Sequence, residues 1–130
     1  MGRPITTIQG VCFAFPNVNN TPSPVGPIPI PYPSIGQLQQ AVGTTVSVRV
    51  AGQGVVTSNS MIPTSSGGEA GSAGGVTSGT AKGPVEFVSF SASVRAEGGN
   101  VVRMFDTTRQ NAGNAVGIVL GGVPNVLVGD

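Results

Sequence analysis

Alternating apolar and polar residues predict two main β-strands. Residues 44–50 (TTVSVRV) place three valines on one face, and residues 84–96 (PVEFVSFSASVRA) alternate apolar residues with polar ones. Alternation of this kind is typical of half-buried strands. Each run is followed by a glycine-containing turn, at 51–54 and at 97–100. We therefore predict two hairpins, with return strands beginning at Val55 and covering residues 101–105.

The remaining segments favour further short strands and turns. We predict a strand over residues 5–15, a turn at 17–20 (NVNN), a polar loop over 106–114 (DTTRQNAGN) and a final strand within 123–128. Residues 35–42 admit either one helical turn or a short strand. No segment keeps a helical period over three turns, so we predict an all-β fold with little or no helix, in one domain covering residues 1–130.

A proline-rich segment at residues 21–35 (TPSPVGPIPIPYPSI) stands apart from this pattern. Its later prolines recur at every second position with apolar residues between them: Pro27, Ile28, Pro29, Ile30, Pro31, Tyr32 and Pro33. Proline fixes φ and has no backbone N–H, which excludes a helix interior or a central strand. A linker or a ligand for a groove-binding module is one interpretation. The isoleucines and the tyrosine favour a stiff, extended strap packed on the β-core.

Residues 65–79 (SSGGEAGSAGGVTSG) form a glycine-rich stretch in which Glu69 is the one charged residue. Phosphate-binding loops are also rich in glycine. This stretch has neither their Lys-Ser/Thr ending nor a helical pattern after it. We predict a flexible or tightly turning loop without a nucleotide site.

Low charge limits the partners that the chain can have. Charged residues make up 8% of the 130 residues, about a third of the usual share, and the net charge is +1. No basic cluster is present, which argues against nucleic acid and anionic membranes. Because soluble monomers use surface charge to oppose association, we expect a partner to cover much of this surface.

Residues suited to catalysis or metal binding are scarce. The chain has no histidine and one cysteine, Cys12, whose apolar neighbours indicate a small buried side chain. Triads built on histidine and Cys/His zinc sites are therefore excluded. The five carboxylates are scattered, and the chain has no tryptophan with which to line a sugar-cleaving cleft. We expect no enzyme activity.

Two ordered motifs and a later aspartate carry a family resemblance. The strings TPSPVGPIPIPYPSI, GGEAGSAGGVTSGTAKGPVEF and VRMFDTT resemble the PAAR-like proteins that tip bacterial contractile injection machines, over roughly residues 16–111. By this resemblance we assign structural or spike-docking roles to Pro27, Pro29, Ile30, Pro31, Tyr32, Pro33, Glu69, Gly71, Lys82, Phe87 and Asp106.

The resemblance implies a small conical β-domain that caps a trimeric β-helical spike, in type VI secretion or a related phage-tail-like system. Such a tip crosses the target envelope with the spike, and effectors or chaperones are further candidate partners. Many relatives carry a C-terminal toxin, whereas this sequence is expected to be a bare tip. The first residues lack the apolar core of a secretory signal, so we expect synthesis in the cytoplasm and delivery by the machine. The alternative is a proline-rich or carbohydrate-binding β adaptor module.

A departure from the family pattern concerns metal. Relatives often have a cysteine before the TP motif and a histidine after the Asp-Thr turn, and related tips bind a metal near the apex. Asn19 and Gln110 stand at the corresponding positions here. We therefore expect no metal and no other cofactor, with these amides bonding the same loops together.

The expected stoichiometry is one tip for each spike trimer. A threefold spike ends in three equivalent strand edges, but a point has room for one chain. We therefore expect three non-identical segments of this chain to meet three identical sites. The valine-rich candidates are residues 46–50, 85–94 and 123–128.

Overall fold

The computed structural model describes residues 2–129, and it confirms the predicted all-β fold. Its elements in chain order are β1 (Arg3–Ile5), β2 (Val11–Thr21), β3 (Ile28–Gln37), a 3-10 helix (Leu38–Gln40), β4 (Arg49–Val50), β5 (Gln53–Gly54), β6 (Met61–Ile62), β7 (Val85–Phe87), β8 (Arg95–Ala96), β9 (Gly99–Asn100), β10 (Thr107–Gln110), β11 (Ala115–Val119) and β12 (Val123–Val128). In this part of the chain no helix has the length and apolar character needed to cross a membrane.

The main sheet contains six strands in the order β3-β2-β11-β10-β7-β6, and all its neighbours pair antiparallel. Side chains alternate across it, as the pleat requires. Its buried face packs a core of Cys12, Leu38, Val56, Ile62, Val85, Phe87, Val102 and Val119. Cys12 is fully buried, as predicted, and this burial raises the pKa of its thiol to about 12.

The proline segment forms the edge strand of this sheet. Residues 28–32 of β3 pair with β2, and Asn19 lies opposite Ile30. The backbone of Asn20 bonds away from β3, to Gly74 and Ala73. The direction of backbone hydrogen bonding alternates along an antiparallel strand. Asn19 and Ile30 therefore exchange backbone hydrogen bonds, and the backbone nitrogens of Pro29 and Pro31 point away from β2.

The edge position explains why proline recurs at every second residue. At Pro29 and Pro31 the backbone nitrogen faces away from β2, so no hydrogen bond of the ladder is lost there. A sheet tolerates proline at such edge positions. The prediction that the strap packs its side chains on the core is wrong for the isoleucines, since Ile28 and Ile30 are 41% and 37% exposed. Backbone pairing, and not side-chain burial, holds this part of the segment.

Two predicted strands are shorter in the structure than their alternation indicated. Only Arg49–Val50 of residues 44–50 is a strand, and residues 84–96 divide into β7 and β8 with a loop between them. The valines of these two segments differ in exposure, since Val85 is fully buried, Val94 is 37% exposed and Val46 is 74% exposed. Both predicted hairpins exist, although their return strands are β5 and β9 and extend over two residues each.

Other boundaries also differ from the prediction. Residues 17–20 continue β2 instead of turning, beyond an irregularity at the cis Phe15–Pro16 bond. Residues 107–110 form β10, where we predicted a loop, because Thr108 and Gln110 are buried and make hydrogen bonds there. The segment at 35–42 combines both alternatives, a strand to Gln37 and then one 3-10 turn. The strand predicted over 5–15 is two strands, β1 and β2.

Candidate docking surface

Three backbone segments close a ring of hydrogen bonds at one end of the molecule. The N–H of Thr6 donates to the carbonyl of Val102 (3.1 Å), Val102 donates to Val56 (3.0 Å), and Val56 donates back to Thr6 (3.1 Å). All three residues are fully buried. Each segment therefore donates one backbone hydrogen bond to the next segment and accepts one from the previous segment, as in a threefold arrangement.

Each ring segment continues from one strand of a small two-stranded sheet. β1 pairs with β12, β4 with β5, and β8 with β9. The three sheets share a second core made of Ile5, Val55, Ala96, Val101 and Val128, with Val50, Val123 and Val126 against it. A single chain thus presents three similar units around one centre.

Two of these units repeat each other in sequence. Residues 48–56 (VRVAGQGVV) and 94–102 (VRAEGGNVV) align without a gap. Each turns through two residues with positive φ, Ala51-Gly52 and Glu97-Gly98. This is the conformation of a type I′ hairpin turn, which glycine favours at its second position. The third unit has no such turn, because its strands come from the two ends of the described chain.

Exposed apolar side chains lie beside all three units. Val46 is 74% exposed and Leu127 is 62% exposed, while Val48 and Val94 are near 40%. The three segments predicted to meet a threefold partner, 46–50, 85–94 and 123–128, supply these residues. The second core includes Val50 of the first segment and Val123, Val126 and Val128 of the third, whereas it includes Ala96 just beyond the second segment and no residue of 85–94 itself.

A carboxylate ties two of the units to each other. Glu97 Oε2 accepts hydrogen bonds from the N–H groups of Val46 (2.8 Å), Ser47 (2.7 Å) and Val48 (3.4 Å), and from the hydroxyl of Ser47 (2.7 Å). These bonds, that of the Ser47 hydroxyl first, lower the pKa of Glu97 although the side chain is exposed. They replace the strand that the alternation predicted over residues 44–48.

Asp106 lies buried behind the ring, between two arginines. Its Oδ1 accepts from Arg3 Nη2 (2.6 Å), Arg103 Nη2 (2.9 Å) and Ser89 Oγ (3.0 Å), and its Oδ2 accepts from the Arg103 N–H (2.7 Å) and Nε (3.1 Å). Burial alone would raise the pKa of Asp106, but the hydrogen bonds from Arg103 and Ser89 outweigh it and lower the pKa. Asp106 therefore links β1 and the third ring segment to β10.

Asparagine side chains join the loops at the other end of β10. Asn111 and Asn114 donate to Asn17 Oδ1 at 3.1 and 2.6 Å, and both also donate to Asn19 Oδ1 at 3.3 Å. Asn19 in turn donates to the carbonyl of Gly68 in the glycine-rich loop (3.1 Å). The loop is thus bonded to β2 and to the β10–β11 turn through neutral amides.

The two residues at the family's metal positions have different partners. Asn19 belongs to the asparagine group, whereas Gln110 donates to the carbonyl of Ser34 (2.9 Å) and accepts from the hydroxyl of Thr108 (2.9 Å). Both are fully buried. Within residues 2–129, no three His, Cys, Asp or Glu side chains are grouped so that they could hold a metal ion.

Close approach explains Gly71 and the position of Tyr32. A Cβ on Gly71 would lie 2.3 Å from Asn19 Cβ and 2.9 Å from Tyr32 Cε2, so only glycine fits. Tyr32 is half-buried, and its hydroxyl lies 2.7 Å from Thr21 Oγ1. The tyrosine ring therefore lies where the strap meets the glycine-rich loop, and Pro33 approaches the same loop at Gly67.

The remaining predicted residues lie apart from the ring. Pro27, Pro29, Ile30 and Pro31 are exposed and Pro33 is half-buried, along the first part of the strap and β3. Glu69 is exposed and accepts from the Gly67 N–H (2.7 Å), and such backbone bonds lower its pKa. Lys82 accepts at its carbonyl from Thr64 (3.0 Å), and Phe87 belongs to the main core.

The sequence prediction missed the ring itself. Its signal was present in the repeat of residues 48–56 at 94–102, and in a glycine three positions before each of Ile5, Val55 and Val101. The alternating pattern predicted the strands before the turns at 51–52 and 97–98, whereas the ring is formed by residues after those turns.

Comparison with known proteins agrees with the motifs found in the sequence. The profile of the toxin PAAR-like domain matches residues 10–117. The chain is 37% identical over 113 residues to the DNase toxin Tse7 of Pseudomonas aeruginosa. That match covers 85% of this chain but 28% of the relative, so the chain spans less than a third of that protein's length. No solved structure gives a significant match.

Proposed function

Since this chain belongs to the toxin PAAR-like domain family, we propose that it is the tip of a contractile injection machine of the type VI kind. It would cap the end of a trimeric β-helical spike, assemble on the machine, and leave the cell with the spike. Effectors or their chaperones would be further partners.

The observation that carries this proposal is the ring formed by Thr6, Val56 and Val102. A single chain with three similar units around one centre can meet three identical strand ends at once. Exposed strand edges on both sides gain hydrogen bonds by pairing. That geometry supports one copy of this chain for each spike trimer.

The low charge of the chain supports the same function. Val46, Val94 and Leu127 offer apolar contacts beside the three units. The charge of Glu97 beside these residues is already satisfied by local donors. Arg49 and Arg95 are exposed on β4 and β8, and docking would have to pair them or leave them in water, because unpaired buried charges are costly.

We also propose that this chain is not itself an enzyme. The carboxylate of Asp106 is engaged by two arginines, and those of Glu97 and Glu69 by backbone N–H groups. A general acid or base needs a free carboxyl beside a substrate cleft. The DNase activity in the name of the Pseudomonas relative belongs to that longer protein.

The test is complex formation with the trimeric spike protein of the same machine. Size-exclusion chromatography with light scattering should give the mass of three spike chains and one copy of this chain. A 3:3 complex, or a stable homotrimer of the isolated chain, would contradict the cap.

Matched variants locate the interface. Replacing Val46, Val94 and Leu127 together by lysine should abolish the complex, because each unit then carries an unpaired charge at the contact. The control is Val25→Lys, at a position 88% exposed in the proline-rich segment, which should leave the complex intact. Equal binding by both variants would place the spike on another surface.

A further inference from the structure

A cavity lined by amide side chains opens at the surface between three separate segments of the chain. Its volume is about 270 Å³, and its lining consists of Ile8, Gln9, Gly10, Gln37, Gln39 and Gln53. Four of the chain's six glutamines therefore meet at one place. They come from the β1–β2 turn, the end of β3 with its 3-10 helix, and β5.

Buried contacts hold the backbone beneath the cavity. Leu38, between Gln37 and Gln39, is fully buried in the main core, and its N–H donates to the carbonyl of Gly10 (3.1 Å). Gly10 has φ +105°, and a Cβ there would lie 2.7 Å from Gly121 Cα. The backbone that carries the glutamines is thus fixed from beneath, while Gln9, Gln37 and Gln39 remain exposed.

The chemistry of the lining selects a class of ligand. All six lining residues are uncharged, so neither an anion nor a cation finds a counter-charge there. A glutamine side chain has two N–H donors and one carbonyl acceptor, although that of Gln53 already accepts from the hydroxyl of Thr7 (3.3 Å), and Ile8 adds one apolar wall. A sugar hydroxyl is both a donor and an acceptor, and a sugar ring also has an apolar C–H face. The volume is just below the range of small-molecule sites, which suits one ring and not a long segment.

We infer that the cavity between Gln9, Gln37, Gln39 and Gln53 is a binding site for a neutral carbohydrate unit. The hydroxyls of the sugar would exchange hydrogen bonds with the glutamine amides while its C–H face lies against Ile8. The lining does not include Thr6, Val56 or Val102, although Gln53 lies in β5 beside the ring, and sugar binding can be tested on the isolated chain.

The experiment is an NMR titration of the 15N-labelled protein with N-acetylglucosamine, and in parallel with the uncharged peptide acetyl-triglycine amide. We expect saturable shifts with the sugar, in the side-chain NH₂ signals of the lining glutamines and in the backbone signals of residues 8–10 and 37–39. Gln37→Ala and Gln39→Ala should each weaken the titration by about threefold to tenfold, the effect of one lost net hydrogen bond.

The control is Gln40→Ala, on the same 3-10 helix but outside the lining of this cavity. It should titrate as the unaltered protein does. Absence of saturable shifts with the sugar, equal weakening by Gln40→Ala, or saturation by the peptide alone would each overturn the proposal. The last outcome would assign the cavity to a peptide segment instead.

Discussion

Replacing Asp106 by asparagine tests whether its buried charge holds the ring in position. Asparagine keeps the size of the side chain, but it removes the negative charge that faces Arg3 and Arg103. It also replaces one acceptor oxygen by a donor NH₂ group, in a site where Asp106 now accepts five hydrogen bonds. Removing one partner of a buried ion pair costs about 3–5 kcal/mol. Folded domains of ordinary size are stable by roughly 5–15 kcal/mol in all, so this loss is large.

The corresponding fall in Tm is roughly 12–20 °C, at about 4 °C for each kcal/mol in a domain of this length. The chain has no tryptophan, so unfolding is best followed by far-ultraviolet circular dichroism in urea and on heating. Glu69→Gln is the matched control, because this exposed carboxylate bonds mainly to nearby N–H groups. It should change the unfolding midpoint little. A loss below about 1 kcal/mol for Asp106→Asn would refute the argument, since a surface ion pair contributes no more than that.

The pH dependence gives a second measure of the same site. The pKa of Asp106 is lower in the folded protein than in the unfolded chain, where it is near 4. Its stabilisation is therefore complete above the unfolded pKa and is lost as the pH falls through the lower folded-state pKa. The stability difference between the unaltered protein and Asp106→Asn should be constant from about pH 5 to 7 and narrow below about pH 4. A difference that does not depend on pH would mean that the charge of Asp106 contributes nothing.

Three further variants test the strap and the link between units. Pro31→Thr restores an outward N–H on the exposed edge of β3 and should increase self-association in sedimentation experiments. The control Pro27→Thr, before the strand, should not increase it. Equal self-association of the two variants would mean that proline does not protect the edge. Tyr32→Phe removes only the hydroxyl that lies 2.7 Å from Thr21 and should cost about 1 kcal/mol in urea unfolding, and an unchanged midpoint would contradict that bond. Glu97→Gln should speed proteolytic cleavage within residues 44–48, because a neutral amide oxygen accepts weaker hydrogen bonds from the N–H groups of this loop. An unchanged cleavage rate would show that other contacts hold the loop.

Composition and the order of the motifs predicted an all-β fold. This prediction succeeded because the fold class does not depend on the exact residues at which each strand ends. Twenty-one glycines and eleven prolines between alternating segments leave no room for long helices. The proline period likewise predicted an extended segment outside the centre of the sheet, and β3 is an edge strand. The sequence did not show that backbone pairing, and not side-chain burial, holds the first half of that strand.

Strand boundaries failed where a local contact competes with sheet pairing. Val46 and Val48 alternate with polar residues as in a strand, but Glu97 binds their N–H groups in a loop. The polar residues 107–110 form a strand because their side chains bond to one another and to Ser34, across 76 residues from Gln110. Contacts between residues so far apart leave no trace in a local pattern. Of the four bonded asparagines Asn17, Asn19, Asn111 and Asn114, only Asn19 was singled out from the sequence, because the four come from distant parts of the chain.

The open third unit has a mechanical consequence. In the other two units a type I′ turn joins the paired strands, whereas β1 and β12 pair without such a turn, in a ladder in which Arg3 lies opposite Val128. Any polypeptide attached to either end would leave the domain at the same corner. Tension between the two ends would load this ladder first, at Arg3 and its ion pair with Asp106, before it reached the six-stranded sheet. A push along the axis of the ring would instead load all three units at once, so traction and thrust act on different contacts of the same domain.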